Sequence, residues 1–349
     1  MPSSERSAAV RPPHAATVTR PGDNGRVCAA PSLLEPQPPS PLTEVADERL
    51  ERHGVRLLLK RDDLIHPDLP GNKFRKLRLN LAAALADGHD TLLTFGGAYS
   101  NHLRAVAAAG RLLGLRTVGV VRGEELAGRP LNASLAVAAA DGMRLDFVDR
   151  ATYRRKAEPD VLAALLARHG RARVLPEGGS NALAATGCAD LGRELRGAAD
   201  VVAVACGTGG TLAGLAAGLA GSETGPEAGH IAEPGQYAQA RQSAEPGQYA
   251  EAIGFPVLRG GAFLADDVLR LQQEAFGGRR GRWRLDDRFH HGGFARSSPA
   301  LEEFAADFER RHGLDPERVY VAKMLHGVMT LACDGAFPPG TRVAAVITG

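Results

Sequence analysis

The feature that most constrains the fold is a regular alternation of short apolar runs and helical segments from Val55 onward. Strand-like runs occur at residues 55–60, 91–95, 117–121, 144–148, 173–175, 201–206 and 343–348. Most of them are separated by alanine- and leucine-rich segments of ten or more residues. Strands that alternate with helices form parallel sheets covered by helices on both faces. The sequence therefore predicts an α/β protein with two open, mostly parallel, twisted sheets.

The length and order of these runs predict two domains. A chain of 349 residues exceeds the usual size of one domain, about 100–200 residues. Residues 91–176 contain four strands and three helical segments, enough for a compact unit. We expect a small domain at residues 76–179, inserted into a large ligand-binding domain formed by residues 31–75 and 180–349. Because open α/β sheets bind ligands at the carboxyl ends of their strands, the cleft between the domains is the expected site.

Two segments fall outside this pattern. Residues 1–30 are rich in Arg, Ser, Ala and Pro and lack the apolar core of a secretory signal. We interpret them as a disordered tail, although an organelle transit peptide would have a similar composition.

The sequence AEPGQYA begins at Ala232 and recurs twelve residues later, and two copies are too few for a solenoid. We interpret residues 223–252 as a flexible surface insertion, and a binding role for Tyr237 and Tyr249 stays open.

Composition and charge exclude several classes of function. With 42 basic and 40 acidic residues the net charge is +2, which gives no support for a nucleic-acid partner. The four cysteines stand apart at positions 28, 188, 206 and 333, which fits a reducing, cytoplasmic compartment. No apolar run approaches the ~20 residues that cross a bilayer. We therefore expect no membrane partner. His290 and His291 are adjacent and lack a metal-ligand spacing, so we expect no metal.

A pair of lysines begins the first helical segment. Residues 71–76 (GNKFRK) follow a strand-like run, and Lys73 and Lys76 are three apart, so they share one helix face. The apolar stripe of this helix consists of Phe74, Leu77, Leu81 and Leu85. A lysine whose pKa is lowered by burial or a nearby cation becomes a nucleophile, and its neighbour would attract a phosphate. An ordinary basic helix face is the alternative interpretation.

A second polar cluster follows the strand-like run that ends at Phe95. Two glycines turn the chain, and Ser100 stands where a helix cap would, followed by Asn101 and His102. Free amides at a helix start bind anions such as a carboxylate. We expect these side chains at the cleft with donors free for a ligand. Simple capping by Ser100, with His102 on the surface, is the alternative.

Two glycine-rich turns complete the set. The buried run 201–206 is followed by Gly207, Thr208, Gly209, Gly210 and Thr211, whose backbone amides and hydroxyls suit a phosphate. This turn is not a Walker loop, and Leu212 stands where GxGxxG needs its third glycine. Residues 176–181 (PEGGSN) end another strand with similar chemistry. A structural turn is the alternative at both places.

Together these motifs resemble the D-cysteine desulfhydrase and 1-aminocyclopropane-1-carboxylate deaminase family of pyridoxal-phosphate enzymes. The matching segments are LKRDDL (59–64), GNKFRKL (71–77), GGAYSNH (96–102), PEGGSN (176–181) and GTGGT (207–211). The resemblance runs from about Leu57 to the C-terminus, without the repeat. It implies a tryptophan-synthase-β-like fold with pyridoxal 5'-phosphate in the cleft between the domains, a small amino-acid substrate and a homodimer.

The resemblance also implies roles for single residues. Lys73 would form the Schiff base with the cofactor and act as the catalytic base. Lys76, which the spacing places on the same helix face, is expected to be a further cofactor contact. Asn101 would contact the phenolic oxygen of the cofactor and the substrate. Ser100 and His102 would face the substrate, Ser100 with a catalytic role. The turn 207–211 would hold the phosphate.

The C-terminal region departs from the family pattern. The family's active-site tyrosine segment has Phe289 and Phe294 here, so that hydroxyl is missing and Phe294 would line the substrate pocket. Tyr320 is kept as a catalytic candidate, but the glutamate that follows it in the deaminases is Val321. The desulfhydrase-like members place a threonine against the ring nitrogen, which implies Thr348 as its partner here.

These departures favour α,β-elimination from a small amino acid, giving pyruvate, ammonia and sulfide or another leaving group. A hydroxyl partner leaves the cofactor ring a weaker electron sink than a carboxylate would, which elimination tolerates better than cyclopropane opening. A ring-opening deaminase is the first alternative. A catalytically degenerate cofactor-binding or interaction protein is the second.

Overall fold

The computed structural model describes residues 31–35, 39–69, 71–220 and 250–348. The expected tail and the AEPGQYA repeat, with Tyr237 and Tyr249, lie outside the described residues. The strands are β1 (Leu42–Val45), β2 (Arg56–Arg61), β3 (Thr91–Gly96), β4 (Arg116–Arg122), β5 (Met143–Val148), β6 (Arg173–Leu175), β7 (Val201–Cys206), β8 (Glu251–Pro256), β9 (Arg282–Leu285) and β10 (Arg342–Ile347).

The strands form two sheets. The larger has six strands in the order β1-β2-β10-β7-β8-β9, and the smaller has four in the order β5-β4-β3-β6. All the neighbouring pairs that the structure describes are parallel except β1 with β2. The predicted fold class, two mostly parallel sheets with helices, is confirmed.

The helices connect these strands and cover both sheets. They are α1 (Pro31–Leu34), α2 (Glu48–Glu51), α3 (Asn72–Ala86), α4 (Asn101–Leu113), α5 (Ala133–Ala140), α6 (Arg150–Arg154), α7 (Pro159–His169), α8 (Ala182–Leu195), α9 (Gly210–Ala220), α10 (Leu264–Phe276), α11 (Pro299–His312) and α12 (Val321–Cys333). None of the helices in the described ranges is long and apolar enough to span a membrane.

Strand β7 shows why an uninterrupted apolar run forms the centre of the large sheet. All six of its residues are buried. Val201, Ala203 and Ala205 pack in one core cluster with α12. Their neighbours Val202 and Val204 point to the opposite face and pack with α9. A strand covered by a helix on each face has no side that prefers polar residues.

Several segments differ from the sequence-based expectation. Strands β1, β8 and β9 were not predicted. Glu251 and Ala252, assigned to the flexible insertion, belong to β8, where Ala252 is fully buried. Helix α3 runs through the expected domain boundary at residue 75, and Leu33 and Phe74 pack in the core beside the small sheet. The apolar stripe of α3 packs in this one core cluster, so the helix continues past residue 75 without a break.

Candidate active site

The two lysines lie in the first turns of α3, directly opposite the start of α9. The Nζ of Lys73 donates to Asn72 Oδ1 at 3.0 Å, and Asn72 Nδ2 donates to Thr211 Oγ1 at 2.8 Å. Asn72 therefore ties the GNKFRK segment to the glycine turn that follows β7. The structure brings together two motifs that are about 140 residues apart in the chain.

Lys76 joins the same turn to the PEGGSN segment. Its Nζ donates to the Gly178 carbonyl at 3.1 Å, to Ser180 Oγ at 2.9 Å and to Thr208 Oγ1 at 3.5 Å. The hydroxyls of Ser180 and Thr208 are 2.6 Å apart. One ammonium and two hydroxyls therefore converge on one small volume. These are the donors that a phosphate group needs.

Burial lowers the pKa of both lysines, and the Lys76 ammonium lowers that of Lys73 further. Burial, and then the nearby Lys76 ammonium, lower the pKa of Lys73 to about 7. Burial also lowers the pKa of Lys76, which is 3% exposed. A lysine with a pKa near 7 carries a substantial neutral fraction at physiological pH, whereas an ordinary lysine carries almost none. Lys73 is thus prepared to act as a nucleophile and base.

In the turn after β7, neighbouring atoms leave little room for any side chain larger than that of glycine. A Cβ on Gly210 would lie 2.5 Å from Ser180 Oγ and 3.3 Å from Lys76 Nζ. A Cβ on Gly207 would lie 3.3 Å from the Tyr320 ring, and Gly209 has a positive φ of 71°. The chain therefore exposes backbone amides instead of side chains at the start of α9. A helix start of this kind attracts an anion.

Ser100 and Asn101 are held at the start of α4. Ser100 Oγ accepts the Leu103 amide at 3.3 Å, so the capping role expected as the alternative is present. Within the described chain, the Asn101 side chain forms no hydrogen bond, and it is partly exposed. Its amide is therefore free to bind a ligand. Substrate and cofactor roles for both residues stay predictions.

His102 differs from the expectation that its donors are free. The residue is 2% exposed, and its Nε2 lies 2.9 Å from Thr94 Oγ1. Thr94 Oγ1 also donates its only hydroxyl proton to the Leu175 carbonyl, at 3.0 Å, because a carbonyl can only accept. The hydroxyl must therefore accept from His102 Nε2–H, which leaves Nδ1 as a bare acceptor without a partner.

The environment of His102 keeps its ring neutral. Burial, and then the ammonium groups of Lys73 and Lys76, lower its pKa well below the usual 6.5. Its Nδ1 would lie 3.3 Å from a Cβ on Gly179, so the PEGGSN segment covers the ring. A direct substrate contact stays a prediction, but the group His102 offers is an acceptor and not a donor.

Replacing Thr94 by valine tests this assignment. Without the hydroxyl, the Nε2–H of His102 loses its acceptor and the fixed tautomer is no longer favoured. We expect the ¹⁵N NMR signals of the His102 ring to show one Nε2–H tautomer in the parent protein, down to pH 6, and tautomer mixing in Thr94→Val. Thr91→Val is the control, since Thr91 is equally buried on β3 but bonds to Asp90. A protonated His102 at pH 6 in the parent protein would contradict the assignment.

The chain was compared with known protein families and structures. Residues 34–349 match the family described as pyridoxal-phosphate dependent enzymes. The chain belongs to this family. This pyridoxal-phosphate enzyme is similar to a putative 1-aminocyclopropane-1-carboxylate deaminase of Thermotoga maritima, at 38% identity over 176 residues, 48% of this chain and 55% of the relative.

Further similarities agree with this assignment. The D-cysteine desulfhydrase of Klebsiella pneumoniae is 34% identical over 197 residues, 52% of this chain and 58% of that protein. A solved structure, a homologue of the cyclopropane deaminase, is 25% identical with a TM-score of 0.69 and covers 91% of this enzyme and 90% of its own chain. The enzyme spans about half the length of the curated relatives it matches.

The residues of the site fit pyridoxal phosphate. The converging Lys76, Ser180 and Thr208 donors and the glycine turn suit its phosphate, and the neutral amine of Lys73 suits its aldehyde. Both features lie at the carboxyl end of β7, where open α/β sheets bind ligands.

Tyr320 borders the glycine turn at Gly207, and Phe294 packs against Tyr320. Their rings are 6.0 Å apart in an edge-on arrangement, and a Cβ on Gly207 would lie 3.5 Å from the Tyr320 hydroxyl. Burial, followed by the carboxylates of Glu317 and Glu177, raises the pKa of Tyr320. Tyr320 is therefore a neutral hydroxyl that can donate a hydrogen bond.

Thr348 directly follows β10 and touches the segment that precedes Lys73. A Cβ on Gly71 would lie 1.5 Å from the Thr348 carbonyl oxygen. Thr348 is 6% exposed, and its hydroxyl has no hydrogen-bond partner within the described ranges. Val321, by contrast, begins α12 and is buried in an apolar core cluster. The role of Thr348 toward the ring nitrogen stays a prediction.

Sequence reasoning missed two residues that organise the site. Ser180 was quoted within PEGGSN but given no role, although it bonds to both Lys76 and Thr208. Asn72 was read only as part of the lysine segment, although it links α3 to Thr211. The sequence signal that could have identified both residues is their position inside the matching motifs.

The part of the chain that the structure describes contains no group of three or more His, Cys, Asp or Glu side chains that could hold a metal ion.

Proposed function

We propose that this enzyme is a lyase that removes a β-substituent, such as a thiolate, from a small amino acid by α,β-elimination. The observation that carries the proposal is the Lys73 amine, with a pKa of about 7, beside a phosphate cradle in an enzyme of this family. A relative named D-cysteine desulfhydrase supports this substrate class. The absence of a carboxylate at position 321 favours elimination, which makes the smaller demand on the cofactor ring.

Binding is divided between the two sheets. Lys76, Thr208 and the amides of Gly209, Gly210 and Thr211 would hold the phosphate, with Ser180 as a further donor. Lys73 would carry the cofactor covalently through its amine. Asn101 would bind the phenolic oxygen, and Thr348 would face the ring nitrogen. When bound, pyridoxal phosphate supplies an electron sink for negative charge at the substrate α-carbon.

Proton transfer depends on the chain's own residues. The start of α4, with Ser100 and Asn101, would bind the substrate carboxylate. The neutral Lys73 amine would accept the α-proton of the bound amino acid. The electron pair left at the α-carbon forms the double bond to the β-carbon as the bond to the leaving group breaks. Tyr320 would donate a hydrogen bond to that group as it leaves, and hydrolysis of the released enamine would give pyruvate and ammonia.

A pH dependence follows from the Lys73 amine. Its pKa is lowered from 10.5 to about 7, so its nucleophilic form increases as pH rises through about 7. We expect the rate at which cofactor-free enzyme binds pyridoxal phosphate covalently to rise about tenfold per pH unit below 7 and to level off above it. Stopped-flow absorbance at constant ionic strength measures this rate. A rate that still rises tenfold per unit between pH 8 and 10 would contradict the assignment.

A ring-opening deaminase is the second candidate, because one relative and one solved neighbour carry that name. Tyr320 is its retained residue, and Phe294 stands where a second hydroxyl is expected. The two rings lie 6.0 Å apart. We expect Phe294→Tyr to raise ammonia release from the cyclopropane amino acid, with Phe304→Tyr as the control because Phe304 packs outside the site, against Phe308. Equal rates in parent and variant would remove this candidate's structural basis.

A panel of amino acids distinguishes the candidates. The purified enzyme with bound cofactor is incubated with D- and L-cysteine, D- and L-serine derivatives and the cyclopropane amino acid, and pyruvate, 2-oxobutyrate, ammonia and sulfide are measured. Pyruvate with equimolar ammonia from a β-substituted amino acid supports elimination. Ammonia from the cyclopropane acid alone supports ring opening. No turnover of any compound would favour the degenerate, cofactor-binding alternative.

We also propose a cytoplasmic homodimer. The free thiols of Cys188, Cys206 and Cys333 suit a reducing compartment. Exposed apolar side chains on the small-domain side, including Tyr99 at 62% and Val137 at 44%, suit contact with a second copy. Sedimentation velocity tests the dimer, and a single species of 36.6 kDa would contradict it.

A further inference from the structure

A buried network of four charged side chains lies beneath the first turn of α3, on the face away from the cradle. Asp62, Lys60 and Arg75 are at most 3% exposed, and Glu194 is the fourth member. Two positive and two negative groups balance in charge. Buried charges are tolerated only when they are paired and hydrogen-bonded in this way.

One guanidinium lies at the centre of the network. Arg75 Nε and Nη2 donate to the two carboxylate oxygens of Asp62, each at 2.8 Å. Its Nη1 and Nη2 donate to Glu194 at 2.7 and 2.9 Å. Lys60 Nζ lies 2.6 Å from Glu194 and donates to the Ser40 carbonyl at 2.6 Å. Two-point contacts on both sides fix the rotation of Arg75.

Asp62 differs from Glu194 in what else it holds. Its main-chain carbonyl accepts the Gly71 amide at 2.9 Å, while its carboxylate holds Arg75. Asp62 therefore fixes both ends of the five-residue segment that has Lys73 at its centre. Asp62 directly follows β2, so its contacts fix the position of this segment relative to the large sheet. Glu194 holds Arg75 from α8 and has no contact with Gly71 among the described residues.

We propose that Asp62 is a positioning residue that sets the direction of the Lys73 amine through its two contacts. This inference rests on the proposed function, since Lys73 is there the residue that carries the cofactor. A small displacement of a reacting atom slows the reaction, on the order of 100-fold for about 1 Å. Asp62 is therefore required for the reactivity of Lys73 as well as for stability.

The test compares Asp62→Asn with Glu194→Gln. Both variants remove one carboxylate from the same arginine, so both lose stability, but only the first disturbs the link between Arg75 and Gly71. We expect covalent binding of pyridoxal phosphate, followed by absorbance, to slow roughly 10- to 100-fold in Asp62→Asn and less than about threefold in Glu194→Gln. Equal slowing in both, or none in Asp62→Asn, would overturn the proposal.

A second measurement separates this inference from the proposed function. Trace acetylation of the cofactor-free protein reports the reactivity of Lys73 by peptide mass, relative to the partly exposed Lys156, without any use of the cofactor. We expect the Lys73 to Lys156 ratio to fall in Asp62→Asn and to stay at the parent value in Glu194→Gln. An altered ratio with no cofactor on Lys73 in the parent would support the positioning role and refute the proposed function. An unchanged ratio in both variants would refute the positioning role.

A milder variant covers the case in which Asp62→Asn does not fold. Ser40→Ala removes the hydroxyl that donates to Asp62 Oδ1 at 2.6 Å and leaves all four charges in place. We expect the same direction of change in the labelling ratio, with a smaller size. A folded Ser40→Ala protein whose ratio equals that of the parent would count against the proposal.

Discussion

Lys73→Ala is expected to abolish both covalent cofactor binding and turnover. The amine is the group with a pKa of about 7 at the start of α3, and none of its neighbours can replace it, because Lys76 is engaged by Gly178, Ser180 and Thr208. Loss of both nucleophile and base should lower turnover by on the order of 10³-fold or more. The near-ultraviolet and visible absorbance of the purified protein and pyruvate release measure the two effects.

Lys73→Arg is the matched control for charge. Arginine keeps a positive group next to Lys76 but stays protonated, so it offers no nucleophile. We expect Lys73→Arg to be as inactive as Lys73→Ala, while the cradle still holds the phosphate and weak, non-covalent cofactor binding persists. Turnover within tenfold of the parent in either variant would show that another residue acts as the base.

Gly71→Ala is expected to have the second-largest effect. Gly71 adopts φ 68° and ψ −152°, a region almost restricted to glycine, and its Cβ would lie 1.5 Å from the Thr348 carbonyl oxygen. Because that atom belongs to the backbone, either the end of β10 or the start of α3 must shift. A shift of about 1 Å at Lys73 should slow covalent cofactor binding roughly 100-fold.

Gly88→Ala separates the clash from backbone strain. Gly88 has the same φ of 68°, but nothing lies within 4 Å of its added Cβ. We expect it to cost about 1–2 kcal/mol of stability, the usual penalty for a left-handed residue, and to leave cofactor binding unchanged. Thermal unfolding and binding kinetics of the two variants are measured side by side. Equal binding rates in Gly71→Ala and Gly88→Ala would mean that Thr348 does not constrain the lysine segment.

The parts of the fold that could be predicted have strong local signals. Strand β7 is six consecutive apolar residues, and its predicted and observed bounds coincide because both faces are buried. Strands β1 and β9 could not be found this way, since Leu42–Val45 and Arg282–Leu285 are short and half polar. Strand β8 contains Gly254 and Pro256, which weaken a strand pattern, and it starts beside the repeat.

A site residue could be predicted where a motif fixes its type. Its pKa or tautomer could not be predicted, because these depend on the tertiary structure. Lysines 73 and 76 could be named from their spacing, but the pKa of Lys73 depends on burial that only the packed sheets create. His102 was named as well, yet its tautomer follows from Thr94 and Leu175, whose relation to it is not encoded nearby. Asp62 carried no signal of its pairing with Arg75, thirteen residues later.

The most direct measurement is the mass of the Lys73 peptide after reduction of the cofactor-bound enzyme with borohydride. Reduction makes the covalent link between cofactor and lysine permanent, and proteolysis followed by mass spectrometry locates it. The account predicts that the reduced pyridoxyl phosphate group is found on Lys73. Its presence on Lys76, on Lys323 or on no lysine at all would contradict the account.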